Sequence, residues 1–302
     1  MNHKIKKYTP GDILFSIINY TVFISFAIIC IFPFYFIFIN TISANYLVAR
    51  GEILFLPRGI HFNNYARIFT LAALPRAAFI SLSRTVLGTF LSVMSTAFVA
   101  YAVTRPELFM RKFCYRFFLI TMYFQAGLIP WFLTMRMLGL TNSFWAYIIA
   151  VISPFHLILI KTYIESTPAS LQESAEMDGA GYLTIFFRIL LPLCKPILAT
   201  VAVFTAVGQW NAFMDTLFLV TDSRLYTLQF ILWRFLSEAQ HLAFMMRAAA
   251  AAGGEIVPPA LELTPTSVSM TITMVVVLPI LFVYPFFQRY FVKGIMLGAV
   301  KG

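Results

Sequence analysis

Residues 165–196 read ESTPASLQESAEMDGAGYLTIFFRILLPLCKP, a polar island between two long apolar runs. The composition predicts two short helices joined by a turn. Thr167 is placed as an N-cap with Pro168 at the first helical position, where a missing N–H costs nothing, and the acidic residues that follow suit the positive end of the helix dipole. Asp178-Gly179 closes this helix, because glycine takes the left-handed conformation without a Cβ clash. Tyr182, Leu183, Phe186 and Ile189 then recur at helical spacing on a second, amphipathic segment that is expected to stop at Pro192. Such a hairpin is too polar to cross a bilayer.

The rest of the chain is the opposite. Of 302 residues 60% are hydrophobic and 11% charged, where a soluble domain carries about a quarter charged. The chain reads as an all-α polytopic membrane protein. Its formal charge of +10 is scattered through loops, which argues for anionic lipid as its neighbour and against nucleic acid. Cys30, Cys114 and Cys194 stand singly in or beside apolar runs, so they read as packing residues and not as a disulfide or zinc framework.

Six runs are long enough for a hydrocarbon core that needs about 20 residues: roughly 13–39, 77–104, 113–135, 143–163, 197–220 and 268–291. The first is too long for a signal-peptide core and lacks a cleavage site, so it is expected to stay. Six spans put both termini on one side. With the N-terminus inside, 13 of the 22 Lys and Arg residues lie on the cytoplasmic side, as the positive-inside rule requires. Arg50, Arg58, Arg67 and Arg76 run against it, in an outer loop of about three dozen residues where the rule weakens. Gly127 and Pro130 should bend or break span three. Between spans five and six, Leu228, Ile231, Leu232, Phe235 and Leu236 form a helical stripe, expected as an interfacial helix, before a loop with Pro258 and Pro259.

Glu173-Ser174-Ala175, then Gly179, Ile189 and Leu191-Pro192, resemble the E-A-A signature of the membrane subunits of ATP-binding-cassette importers; only Ser174 departs from it. Gly127–Pro130 (GLIP), Leu138–Asn142 (LGLTN), Lys195–Thr200 (KPILAT), Gly208–Asn211 (GQWN), Tyr226–Gln229 (YTLQ) and the end from Phe291 to Gly302 resemble the maltose-permease-like carbohydrate branch. Within it they are closest to subunits importing oligosaccharides released from polysaccharides. The resemblance implies a type I importer permease fold: an N-terminal part at 1–76, a transmembrane core at 77–292 and a cytoplasmic tail at 293–302. It also implies that Glu173, Ser174, Ala175, Asp178, Gly179 and Ala180 couple to a cytoplasmic ATPase. The implied partners are a second homologous permease, two ATPase subunits, an external solute-binding protein, membrane lipid and a carbohydrate. The implied place is a bacterial inner membrane, with both termini cytoplasmic. The loop holding Pro258 and Pro259 could meet the binding protein or simply lid the bundle.

The chain has no G-x-x-x-x-G-K-[ST] loop, so ATP and magnesium are expected on the partner ATPases, with no cofactor here and no enzymatic activity. The four histidines are dispersed without H-E-x-x-H. Asp215 is the only acid inside an expected span, which leaves an aspartyl enzyme without its second carboxylate. A proton-coupled carrier is the alternative, but it would need buried acids and usually an internal repeat, and neither is visible. Polar residues at membrane depth mark substrate routes or interhelical hydrogen bonds. They collect in span five as Gln209, Trp210, Asn211 and Asp215, an aromatic with amide and carboxylate groups of the kind a sugar needs. Gln209 and Asn211 are two apart and cannot both face one way. Arg84, near the outer end of span two, is expected to snorkel to the headgroups.

Overall fold

The computed structural model describes residues 10–70, 74–124, 126–149, 152–251 and 264–299. Pro258, Pro259 and the C-terminal residues 300–302 lie outside them. Among the described residues every regular element is helical, because runs this apolar must satisfy their own backbone groups internally.

The chain divides into two compact units. One comprises 1–68 and 235–275, the other 69–234 and 276–302.

In the first unit, α1 (Pro10–Thr41) is apolar all round, and only 6% of its most apolar window is buried in the chain. At 1.5 Å per residue it is about 48 Å long, ample for a hydrocarbon core of about 30 Å. Its C-terminal end packs into a small core of Ile39, Val48 and Ile53 that includes Met270. Short helices α2 (Asn45–Ala49) and α3 (Asn63–Thr70) follow. Buried Asn64 fastens the loop between them by donating to the Thr41 carbonyl at 2.9 Å and exchanging bonds with Asn45.

The second unit is built on α4 (Leu74–Thr104). Ser81, Arg84, Gly88, Ser92, Thr96, Ala100 and Val103 make one buried stripe at helical spacing. The small residues among them let other helices approach closely. After α4 come α5 (Arg111–Tyr123), α6 (Leu128–Met137), α7 (Pro154–Glu165) and α8 (Ser170–Met177). Next are α9 (Tyr182–Leu193), α10 (Lys195–Asn211) and α11 (Met214–Leu219), while α12 (Leu228–Ala251) and α13 (Pro265–Ala299) each divide between the two units, at 234/235 and 275/276. Ala97, Ala100, Leu157, Ile160, Phe186 and Val201 share one core, which brings α4, α7, α9 and α10 together. Cys194 is buried in that core, Cys114 packs against it, and Cys30 is exposed on α1.

The expected spans are less regular than their hydropathy. Among the described residues only α1 and α4 are single helices long and apolar enough to cross. Span three breaks between α5 and α6, where Gly127 takes φ +86°, whereas Pro130 sits harmlessly in the first turn of α6. Span four begins as a 3-10 turn at Phe144–Tyr147 before α7 starts at Pro154. Span five is not one helix from 197 to 220: it stops at Asn211 and restarts at Met214. The expected interfacial stripe is α12.

Candidate functional site

The hairpin of residues 165–196 is present, with two local corrections. Thr167 is not the N-cap. Its hydroxyl turns back to the Ile164 carbonyl at 2.6 Å and serves the end of α7, and α8 begins only at Ser170. The close of α8 is as read. Gly179 has φ +80°, its N–H donates to Glu176 O at 3.0 Å, and Ala180 N–H donates to Ala175 O at 2.9 Å. That double bond is the Schellman closure, which needs a residue at home at positive φ.

The second correction concerns α9, where Ile185–Leu190 is a π-turn. The wider turn shifts the buried face to Ile185, Phe186 and Leu190, while Tyr182 and Leu183 of the expected stripe are exposed. Pro192 does not end the segment; the chain turns at Cys194, between α9 and α10, by 81°. Phe186 anchors the limb, stacked on Tyr101 and edge-on to Phe98, each at 5.5 Å. On α8, Ala175 is buried and Ala180 half-buried, whereas Glu173, Ser174, Asp178 and Gly179 face outward. Met177 is 89% exposed at the tip, a large apolar side chain that the sequence reading passed over.

Both limbs are tied to α4 by a residue to which the sequence reading gave no contact. Arg105, just past the end of α4, donates to Glu176 Oε1 at 2.8 Å on the first limb. Its guanidinium lies 4.8 Å from the centre of the Tyr101 ring and 5.7 Å from that of Tyr182 on the second. The spacing Tyr101 to Arg105 is one helical turn, which was legible; Glu176 and Tyr182 were not. A cleft of about 330 Å³ runs beside this tie, and Glu107, Gln172 and Glu173 are among its lining residues.

The second polar centre lies in the membrane-spanning part, and it overturns the reading of Arg84. Arg84 does not snorkel: it is 3% exposed. It donates through Nη1 to Asp215 Oδ1 at 3.0 Å and through Nη2 to Oδ2, and through Nε to Gln209 Oε1 at 2.9 Å. Nη1 also reaches the Ala212 carbonyl at 3.2 Å. The Tyr147 ring lies 4.7 Å from the guanidinium. The break in span five is therefore paid for by Arg84, which takes up a carbonyl that the interrupted helix leaves free. The missed signal was Asp215 itself, a lone intramembrane acid that requires a cation.

Asn142, in the LGLTN run, fastens the far end of α11. It has φ +55°, its N–H donates to Leu219 O at 2.9 Å, and its Oδ1 accepts from the N–H groups of Thr221 and Asp222.

Of the four span-five residues, Gln209 and Asp215 are brought together on Arg84, while Trp210 and Asn211 are not. Asp215 belongs to the ion pair and Trp210 donates from Nε1 to the Val276 carbonyl at 3.1 Å. Asn211 is exposed, and Gln209 borders an open cleft of about 290 Å³ with His156, Phe204 and Thr205.

No family model matches the chain. It is 33% identical over 290 residues, 96% of its length and 99% of the relative's, to the polygalacturonan/rhamnogalacturonan transport system permease protein YtcP of Bacillus subtilis. It is 31% identical over 298 residues to Protein LplC of the same organism, covering 97% of each. It is 28% identical to the arabinooligosaccharides transport system permease protein AraQ of Halalkalibacterium halodurans, over 91% of this chain and 93% of that one. A chain from the crystal structure of a bacterial ABC transporter involved in the import of the acidic polysaccharide alginate superimposes with a TM-score of 0.81. The identity is 30%, over 94% of this chain and 99% of that one.

Proposed function

The chain belongs to the family of carbohydrate ABC-importer permeases, and from that membership we propose how it works: its 77–292 core crosses the membrane as five spans, three of them interrupted, and the 165–196 hairpin couples that core to a partner ATPase. The permease is an integral membrane protein of a sugar import system with the type I importer fold. Its relatives are transport permeases and not enzymes. A proton-coupled carrier is not favoured: Asp215, the acid such a carrier would use, is held by Arg84.

The observation that carries the coupling reading is the hairpin itself. It buries Ala175 and Phe186 in the core around α4, and turns Glu173, Ser174, Asp178 and Met177 outward from a closed glycine turn. A rigid projection with a polar and apolar outer face suits docking into a groove on a partner. Arg105 then carries movement of both limbs to the end of α4. The assembly contains a second permease, two ATPases that hold ATP and magnesium, and an external binding protein that delivers an oligosaccharide. The hairpin and both termini face the cytoplasm of a bacterial cell. ATPase closure moves the hairpin, and the spans rock to open outward.

The test is reconstitution of the whole complex in vesicles with its binding protein. ATP-dependent uptake of an oligosaccharide that vanishes when this chain is omitted is expected. Uptake that proceeds on a proton gradient without ATP would overturn the reading.

A further inference from the structure

The cleft beside Gln209 adjoins the Arg84 centre, and its other wall, His156, Phe204 and Thr205, has no role in that centre. It lies at membrane depth: Thr205 and Gln209 are about 15 and 21 Å along α10 from Lys195, at 1.5 Å per residue. Polar groups at that depth that faced lipid would be left unsatisfied at several kcal/mol each, so the cleft faces water or protein. Its volume of about 290 Å³ is at the low end of the range of roughly 300–1,000 Å³ for small-molecule sites. That suits one sugar ring of a longer chain.

Its chemistry is a stacked aromatic pair with hydroxyl and amide groups around it. The rings of His156 and Phe204 lie nearly parallel, 18° apart with centroids at 6.4 Å, and Phe204 is half exposed. His156 Nδ1 is 3.5 Å from the Thr205 hydroxyl. Among the described residues neither His156 Nε2 nor Gln209 Nε2 has a hydrogen-bond partner. Gln209 is held in place from two sides: Arg84 fixes its oxygen, and its amide nitrogen lies where a Cβ on Gly88 would come within 2.9 Å. Next to it Gly208 leaves open space in front of the backbone. The only permanent cation among the lining residues is Arg84, whose fork is already engaged by Asp215.

We propose that this cleft receives one ring of the transported oligosaccharide, with the half-exposed Phe204, backed by His156, against the ring face and Thr205, Gln209 and Ser153 on its hydroxyls. It reads ring shape and hydroxyls, not a carboxylate, because its guanidinium is neutralised. The proposal rests on the importer reading above. It goes beyond that reading by moving the contact surface off Asn211 and Asp215 and onto α7 and the C-terminal half of α10.

The experiment uses the full complex with its binding protein, in vesicles, and a chain in which Cys30, Cys114 and Cys194 are replaced by serine. Oligogalacturonides of two to four rings and linear arabino-oligosaccharides are the probes. A Thr205→Cys variant should react with a small water-soluble thiol reagent, and the imported probe, with ATP cycling, should slow that reaction at least several-fold. Phe204→Ala should lower the uptake rate about tenfold while Phe204→Tyr retains most of it. A residue 205 thiol that is unreactive with and without sugar would show that the second permease or lipid fills the cleft, and would overturn the proposal. Equal reaction rates with and without the probe, in a complex that imports it, would also overturn it while leaving the importer reading intact. A wild-type complex that imports neither probe class nor any other oligosaccharide would remove the importer reading and this proposal with it.

Discussion

Arg84 and Asp215, 131 residues apart in the chain, form a two-bonded ion pair with side-chain exposures of 3% and 15%. The pair joins α4 to the break between α10 and α11, where Arg84 also holds Gln209 and the Ala212 carbonyl. Two charges taken out of water are stable only when each finds the other and their remaining donors are met. Here one guanidinium meets a carboxylate, an amide and a backbone carbonyl at once.

Breaking this pair from one side leaves a buried charge uncompensated, at about 3–5 kcal/mol. Arg84→Leu and Asp215→Leu should each sharply lower the thermal stability of the purified complex. The double variant should lose clearly less than the two single losses combined. Strict additivity in the unfolding midpoints would show that the two residues act independently.

Gly179 stands at φ +80° with open space around it, so a side chain there meets backbone strain and no neighbour. Left-handed conformation costs an L-residue roughly 1–2 kcal/mol, more when β-branched. Gly179→Val should keep normal membrane levels yet lose both uptake and ATP hydrolysis by the assembled complex, while Gly179→Asn retains a good part of each. Full uptake by the valine variant would mean that the turn plays no part in coupling.

Arg105 grips both limbs of the hairpin, by an ion pair to Glu176 and by the face of Tyr182. Glu176→Gln removes the negative charge opposite an Arg105 that is 12% exposed, but keeps at the same place an amide oxygen able to accept from the guanidinium. Arg105→Ala removes every grip. We expect near-normal transport from the first and a several-fold fall in transport per ATP hydrolysed from the second, read as the coupling ratio in vesicles. An unchanged ratio in Arg105→Ala would remove Arg105 from the transmission route.

Gln209 faces the cleft and Asn211 does not. Asn211→Leu should therefore leave uptake and basal ATP hydrolysis near wild type, whereas Gln209→Leu should lower uptake. The reverse ranking of uptake rates would place the pathway on the other face of α10.

Topology can be read by labelling intact cells. Cysteines placed at Ser170 and Lys301 should be shielded from a membrane-impermeant thiol reagent, and one at Gly254 should react. Reaction at 170 from outside would invert the orientation and remove the coupling role of the hairpin.

The sequence by itself determined the class of this protein and the place of its hairpin, because both are written in local terms. Long uncharged runs must become helices in lipid whatever surrounds them, and Asp178-Gly179 closes α8 through bonds that span five residues or fewer. The tertiary structure alone decided the rest. Hydropathy averages over a run and cannot see the stop at Ala212–Phe213, which persists because Arg84, from another helix, takes up the Ala212 carbonyl; the break of span three, by contrast, is written locally in Gly127. Periodicity assigned α9 a face at 3.6 residues per turn, and the π-turn at Ile185–Leu190 moved that face to where Phe98 and Tyr101 wait. The direction of Gln209, and the choice of Arg84 between headgroup and counterion, depended on partners more than a hundred residues away. No local pattern carries that information.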